Sequence, residues 1–177
     1  MLTEKMEAAL NDQVNAELFS SYLYLAMSAD FAAKSLTGMA QWMNAQAKEE
    51  LMHAMKFYYY ILERGGRAKL AALEAPQAQW ASPVEAFKAA LDHERYITGR
   101  ISNLMVLAQE EKDFATASFL QWYVDEQVEE EANAEENVVK TEMVQGNPAG
   151  TYMVDKEMGA RPVPFVLPVA ETPETAG

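Results

Sequence analysis

A glutamate and a histidine three residues apart form the most informative chemical pair in the sequence. On a helix, Glu50 and His53 project from one face about 60° apart, so a carboxylate and an imidazole can bind one metal ion. The chain contains no cysteine, which excludes a disulfide, a zinc ribbon, a rubredoxin-type centre and an iron–sulfur cluster. Any bound metal must therefore be held by oxygen and imidazole ligands.

Three further glutamates occupy comparable places on other predicted helices. Glu17, Glu94 and Glu130 each interrupt a row of mostly apolar or small residues that recurs in steps of three and four, as the inward face of a bundle does. Each acid falls near the middle of its helix, so we expect all of them to meet Glu50 at one level. No Lys or Arg occurs on these rows, and burying an unpaired charge is costly. A bound cation resolves this conflict, whereas protonating every acid would gain little over leucine.

Glycine and proline divide the chain into four long helical segments and one short one. Capping and stop signals predict helices over 3–34, 38–64, 83–110, 113–144 and 148–158. The first and third links are short and must join antiparallel neighbours. The link over 65–81 could stretch about 50 Å, against about 40 Å for a long helix. The predicted fold is all-α: a four-helix bundle with one long crossover and a short fifth C-terminal helix.

Length and charge limit the classes of protein to which the chain can belong. Its 177 residues, half of them apolar, suit one domain, which we place at 1–158 with a peripheral proline-rich tail at 159–177. A formal charge of -13 argues against nucleic acid as a partner and favours cations. The sequence has no signal-peptide pattern and no membrane-spanning apolar run, so we expect no membrane partner and a cytoplasmic location.

The sequence resembles the bacterial non-haem ferritins over residues 1–158. The resemblance rests on Glu17, Tyr24, the run 49–53 (EELMH), Glu94 and the run 119–131 (FLQWYVDEQVEEE). It implies a ferritin-like bundle with a two-iron site. By this resemblance, the first iron ion would be bound by Glu17, Glu50 and His53. The second would be bound by Glu50, Glu94 and Glu130, with Gln127 nearby for hydrogen bonding.

The fourth helix departs from a symmetric two-metal site. It offers Gln127 and Glu130 where such a site would have a second Glu-x-x-His pair, so we expect the second ion to be held more loosely. The family also has a third, carboxylate-only iron site, which this chain matches at Glu49, Glu126, Glu129 and Glu130. From chemistry alone this acidic stretch could equally face water. By resemblance, Tyr24 lies near the centre and can supply an electron during oxygen chemistry.

The resemblance implies an iron storage protein with ferroxidase activity. Ferrous iron would be oxidised by O2 or H2O2 and deposited as ferric mineral inside a homo-oligomeric cage of twenty-four subunits. A di-metal oxidase or catalase that stores no iron, and a structural bundle with a lost metal site, remain alternatives. Haem is not expected, because Leu51 stands where haem-binding bacterioferritins have methionine. We predict a surface or interface position for His93, and packing roles for Trp122 and the tyrosines at 58–60.

Overall fold

Five α-helices make up the computed structural model of the chain, which describes residues 1–165. The helices are α1 (Glu4–Ala33), α2 (Thr37–Glu63), α3 (Pro83–Glu110), α4 (Phe114–Met143) and α5 (Pro148–Met158). No predicted boundary differs from the observed one by more than one residue. The division into a domain over 1–158 and a tail over 159–177 stays a prediction, and the part of the tail beyond residue 165 lies outside the described residues.

The four long helices pack as two antiparallel pairs. α1 packs on α2 and α3 packs on α4, while α1 also contacts α3. The short turns after α1 and α3 allow this pairing, and an extended segment over 64–82 carries the chain from the second helix to the third. The all-α, four-helix prediction with one long crossover and a short fifth helix is therefore confirmed.

Side chains on α1 hold the crossover segment in place along the bundle. Asn11 donates to the carbonyl of Arg67 (3.0 Å) and accepts from the amide of Lys69 (2.5 Å). Asn15 accepts from the amide of Ala71 (2.9 Å), one step further along the same extended backbone. These asparagine side chains satisfy backbone N–H and C=O groups of the extended crossover, which forms no helix or sheet hydrogen bonds of its own.

Side-chain oxygens cap four of the helices in the usual way. Thr3, Ser82, Asp113 and Asn147 each accept a hydrogen bond from an amide in the first turn that follows. α2 is capped differently, because the amide of Met39 donates to the carboxylate of Asp155 on α5 (2.8 Å). This bond fixes the C-terminal helix against the start of α2.

Gly38 allows α5 to approach the backbone of α2. A Cβ atom on Gly38 would lie 1.7 Å from the carbonyl oxygen of Asp155, far inside van der Waals contact. Only glycine fits such a contact between two backbones. The close packing determines where the chain emerges after Met158, and therefore the path of the segment that follows.

Two apolar clusters fill the bundle, one toward each end. One contains Phe31, Met43 and Phe87, and the other contains Phe57 and Leu120, all at most 1% exposed. Burying one such side chain stabilises a fold by roughly 1.5–3 kcal/mol. Between the clusters lies a layer of buried polar side chains. Within residues 1–165, no helix combines the length and apolarity needed to cross a bilayer.

Candidate metal centre

One glutamate from each long helix reaches the middle of the bundle. Glu17, Glu50, Glu94 and Glu130, called here the four-glutamate centre, are between 1% and 5% exposed. Ligand atoms of Glu17, Glu50 and His53 lie within 4.8 Å of one another, and so do those of Glu50, Glu94 and Glu130. Glu50 belongs to both groups. This is the geometry of two adjacent metal positions that share one carboxylate.

No Lys or Arg side chain in residues 1–165 forms an ion pair with the four-glutamate centre. Its nearest basic group is the imidazole of His53, whose Nδ1 lies 3.4 Å from Oε2 of Glu50. Burial, followed by the charge of Glu50, raises the pKa of Glu94 to about 8, and the same two causes raise the pKa of Glu17 to about 8. Burial also raises the pKa of Glu130. Without a cation, the centre therefore retains protons near neutral pH.

Gln46 links two of these carboxylates and was not among the predicted site residues. Its amide nitrogen donates to Glu130 (2.7 Å) and to Glu50 (3.1 Å). Its amide oxygen is buried without a hydrogen-bond partner among the described residues, and so is Oε2 of Glu17. Buried, unpaired oxygens are costly unless something binds them. Their presence in this layer fits a cation site. The position of Gln46 one turn before Glu50 was the available signal.

A second amide holds Glu17 from the other side. Gln13, which is fully buried, donates to Oε1 of Glu17 (2.7 Å) and accepts from Nε of Arg100 (2.9 Å). Arg100 is thereby connected to the centre through one intervening side chain. Gln13 was not among the predicted site residues either, although it precedes Glu17 by one helical turn.

Tyr24 and Gln127 both contact Glu94, as the sequence analysis expects of residues near the centre. The Tyr24 hydroxyl donates to Oε1 of Glu94, and Gln127 donates to the carbonyl oxygen of Glu94 (3.2 Å). Burial and the adjacent Glu94 charge raise the pKa of Tyr24 well above 10, so the phenol keeps its proton. Gln127 acts as a hydrogen-bond donor in this arrangement, with its nitrogen also 3.3 Å from the hydroxyl of Thr98.

The structure brings together only part of the predicted third position, which comprises Glu49, Glu126, Glu129 and Glu130. Glu126 and Glu130 form a possible ligand group with His53, whose Nε2 lies 3.9 Å from Glu126. Glu49 forms an ion pair with Arg161, and Glu129 is exposed. Burial raises the pKa of Glu49, while the Arg161 charge acts in the opposite direction.

A family model described as a ferritin-like domain matches residues 7–144 of the chain. The chain belongs to the ferritin-like family. Residues 7–144 include the whole four-glutamate centre, so the geometry and the family assignment concern the same part of the molecule.

Relatives within the ferritin-like family span nearly the whole chain. A bacterial non-heme ferritin of Staphylococcus aureus (strain USA300) is 41% identical over 161 residues, covering 91% of this chain and 97% of that protein. One from Bacteroides fragilis (strain 638R) is 40% identical, covering 91% and 100%. The solved open pore ferritin of the archaeon Archaeoglobus fulgidus is 48% identical with a TM-score of 0.91, covering 92% of this chain and 100% of that chain.

Two aromatic residues of this ferritin-like chain, His93 and Trp122, are partly exposed and contact neighbouring helices. His93, for which a surface or interface position is predicted, is half-buried, with Nε2 2.7 Å from the hydroxyl of Ser20, and burial lowers its pKa to about 4. Trp122 is 39% exposed, with the amine of Lys56 3.1 Å from its ring centroid. The ring of His53 lies edge-on to Trp122 at 5.5 Å. Helix periodicity alone could not place these rings, because neighbouring helices determine what covers them.

Proposed function

We propose that this chain is a ferritin subunit that binds ferrous iron, oxidises it with O2 or H2O2 and stores the product as ferric mineral. Iron storage is the function that the family, the fold and the Glu/His groups support together. One observation carries the proposal: the centre is buried, and Glu50 belongs to two ligand groups at once. No Lys or Arg among residues 1–165 forms an ion pair with the glutamates of this centre.

The two ligand groups suggest how a pair of ferrous ions would bind. One ion would contact Glu17, Glu50 and His53, and the other would contact Glu50, Glu94 and Glu130. Only the first group contains an imidazole, so we expect the second ion to exchange more readily. Gln127 donates hydrogen bonds to Glu94 instead of supplying a ligand that would make the two positions alike.

The chemistry of the ligands favours electron loss from iron. Carboxylate oxygens stabilise ferric over ferrous iron, which lowers the potential of the couple. Two ferrous ions held side by side can each give up one electron, and dioxygen then takes two electrons and two protons to yield hydrogen peroxide. Tyr24 donates its proton in a hydrogen bond to Glu94, which places an oxidisable phenol beside the second ion.

Storage requires an enclosed space, which one bundle does not provide. We propose that copies of the chain assemble into a hollow homo-oligomeric cage, of twenty-four subunits as the resemblance implies. The excess of acidic residues, 27 Asp and Glu against 14 Lys and Arg, would attract ferrous ions. The cytoplasmic location expected from the sequence stays a prediction.

Adding ferrous iron to the metal-free protein in air tests the proposed activity. We expect ferric absorbance to develop rapidly, and native mass measurement to give an assembly far heavier than a dimer. His53→Ala removes the only imidazole of the two ligand groups and should slow oxidation strongly. Lys5→Ala, a change at an exposed position far from the centre, is the matched control. Fast oxidation that is unchanged in His53→Ala would contradict the proposed first position, and a dimer without mineral would favour a di-metal oxidase.

A further inference from the structure

After α5, the described residues 159–165 turn back and run along α2. The guanidinium of Arg161 lies 4.3 Å from the ring centroid of Trp42, and Nη1 lies 3.5 Å from the Trp42 carbonyl oxygen. Further on, the ring of Phe165 lies 5.5 Å from the amine of Lys48. This segment was predicted to be peripheral, but it contacts the helix that supplies Glu49, Glu50 and His53.

Arg161 pairs with one of the predicted metal ligands. Its Nη2 donates to Oε2 of Glu49, and the two side chains are only 18% and 30% exposed. Stacking on Trp42 fixes the plane of the guanidinium, which reduces the entropy lost in forming the pair. The carboxylate of Glu49 is therefore neutralised by a cation of the chain itself. In the four-glutamate centre, by contrast, no carboxylate forms an ion pair with Lys or Arg from residues 1–165.

The same segment forms one wall of a cavity beside the centre. This cavity has a volume of about 460 Å³, and it is lined by Glu49, His53, Lys56, Trp122, Glu126 and Pro164. The Nε2 atom of His53 and a carboxylate oxygen of Glu126 lie 3.9 Å apart at this cavity. A third metal ion bound by Glu49 and Glu126 would therefore compete with Arg161 for the Glu49 carboxylate, beside a cavity that Pro164 also lines.

We propose that Arg161 determines the occupancy of the third iron position by acting as the built-in counter-ion of Glu49. Ferrous iron binds Glu49, Glu126 and Glu130 there only when it displaces the guanidinium, which moves the 159–165 segment away from α2. The first two positions need no such displacement. This inference rests on the proposed function and adds a role for Arg161, a residue that follows α5, in controlling iron binding.

Anaerobic calorimetric titration of the assembled, metal-free protein with ferrous iron tests the inference without relying on oxidation. Arg161→Gln removes the charge but keeps a polar side chain. We expect it to tighten the third binding event on the order of tenfold, because a half-buried opposing charge is lost. Arg161→Lys retains the charge, so its third binding event should stay close to that of the unmodified protein.

Two further variants separate this effect from a general change in charge. Arg95→Gln removes an arginine that is 53% exposed and contacts Glu131 at 4.0 Å, so it should leave all binding events unchanged. Adding Glu49→Gln to Arg161→Gln should abolish the gain. Helix content measured by circular dichroism should be the same in every variant, since the bundle is complete without the segment.

The possible outcomes distinguish this inference from the proposed function. Third-site affinity that is equal in Arg161→Gln and the unmodified protein, with the first two events intact, would overturn the role of Arg161 alone. A gain that survives Glu49→Gln would also overturn it. Failure of the unmodified protein to bind the first two ions would instead refute the proposed function, and the inference with it.

Discussion

The four-glutamate centre and the third position both use carboxylates, but they differ in how those carboxylates are neutralised. In the centre, each acid is at most 5% exposed and forms no ion pair with Lys or Arg from the described residues. Beside it, Glu49 pairs with Arg161, and Glu126 is partly exposed at a cavity that Lys56 also lines. The two regions are adjacent, since Glu49 and Glu50 are consecutive residues of α2.

This contrast explains why one region would bind metal more readily than the other. Metal-free, the centre must either retain protons or leave charges buried without compensation, and both states are costly. A divalent cation bound at the centre removes that cost, which makes its binding more favourable. At the third position, Glu49 is already paired with Arg161, so a metal ion that binds this carboxylate must replace an existing ion pair and gains less.

Removing the carboxylate of Glu50, which both ligand groups share, should produce the largest loss of iron oxidation. Glu50→Gln deprives both ligand groups of their shared carboxylate, so we expect the rate of iron oxidation to fall on the order of hundredfold or more. Glu126→Gln, at the third position, should change the initial rate only a few-fold. Stopped-flow absorbance with equal ferrous iron measures both. Similar losses of oxidation rate in the two variants would contradict the distinction between the four-glutamate centre and the third position.

Stability without metal should fall as pH rises, because the carboxyl groups of the centre have raised pKa values. Glu17 and Glu94 have a folded-state pKa of about 8 against an ordinary value of 4.5, so the folded protein holds more protons than the unfolded chain between those pH values. Proton linkage then lowers the unfolding free energy through that window, on the order of a few kcal/mol per group.

Thermal unfolding at several pH values between 5 and 9 measures this effect. Metal-free protein should lose stability across the range, whereas protein saturated with a redox-inert ion such as zinc should keep it, since the bound cation replaces the protons. Glu17→Gln should flatten the metal-free profile. A stability that rises with pH in the metal-free protein would show that these carboxyl groups are ionised by some other means.

Loss of the Tyr24 hydroxyl should have an intermediate effect that is confined to the centre. Tyr24→Phe removes the hydrogen bond to Glu94 and the oxidisable phenol together, so we expect oxidation to slow about tenfold while ferrous binding changes little. Tyr59→Phe, at an exposed tyrosine on α2, is the control. Equal rates in the two variants would leave Tyr24 with a packing role only.

The smallest effect is expected at the far end of the chain of hydrogen bonds to Glu17. Arg100→Met leaves Gln13 without its second partner, which should weaken binding at the first position by a few-fold. Gln13→Ala removes the direct hydrogen bond and should weaken binding further, by about tenfold. Anaerobic titration compares the two. A stronger effect from Arg100 than from Gln13 would show that this linkage is not the route by which Arg100 acts.

The fold and the four-glutamate centre could be predicted because both depend on periodicity within helices. Glycine and proline marked the helix ends, and an acid in the middle of each apolar row pointed inward whatever the packing details. Gln13 and Gln46 were missed because a buried amide creates no charge conflict and therefore gives no comparable signal. Arg161 was missed for a different reason. Its partner lies 112 residues away, and their contact depends on how α5 docks.

Glu49 and Glu129 show where helical geometry stops being informative. Both are adjacent in sequence to residues of the centre, so their approximate direction was predictable. Whether each carboxylate faces metal, a cation or water depends on the neighbouring segment and on side-chain rotamers. The structure gives Glu49 a guanidinium partner and leaves Glu129 exposed.

The glycine at the start of α2 affects the surroundings of Glu49, a predicted metal ligand, from a distance. Gly38 precedes Glu49 by 11 residues, about 16 Å along the helix axis at 1.5 Å per residue. Any side chain there would push α5 outward and withdraw Arg161, which follows it, from its acidic partner. On the proposed role of Arg161, a mutation that touches neither iron nor ligand would then change how many ions each subunit takes up, so inherited variation at this glycine would tune uptake while the proposed oxidation chemistry stayed the same.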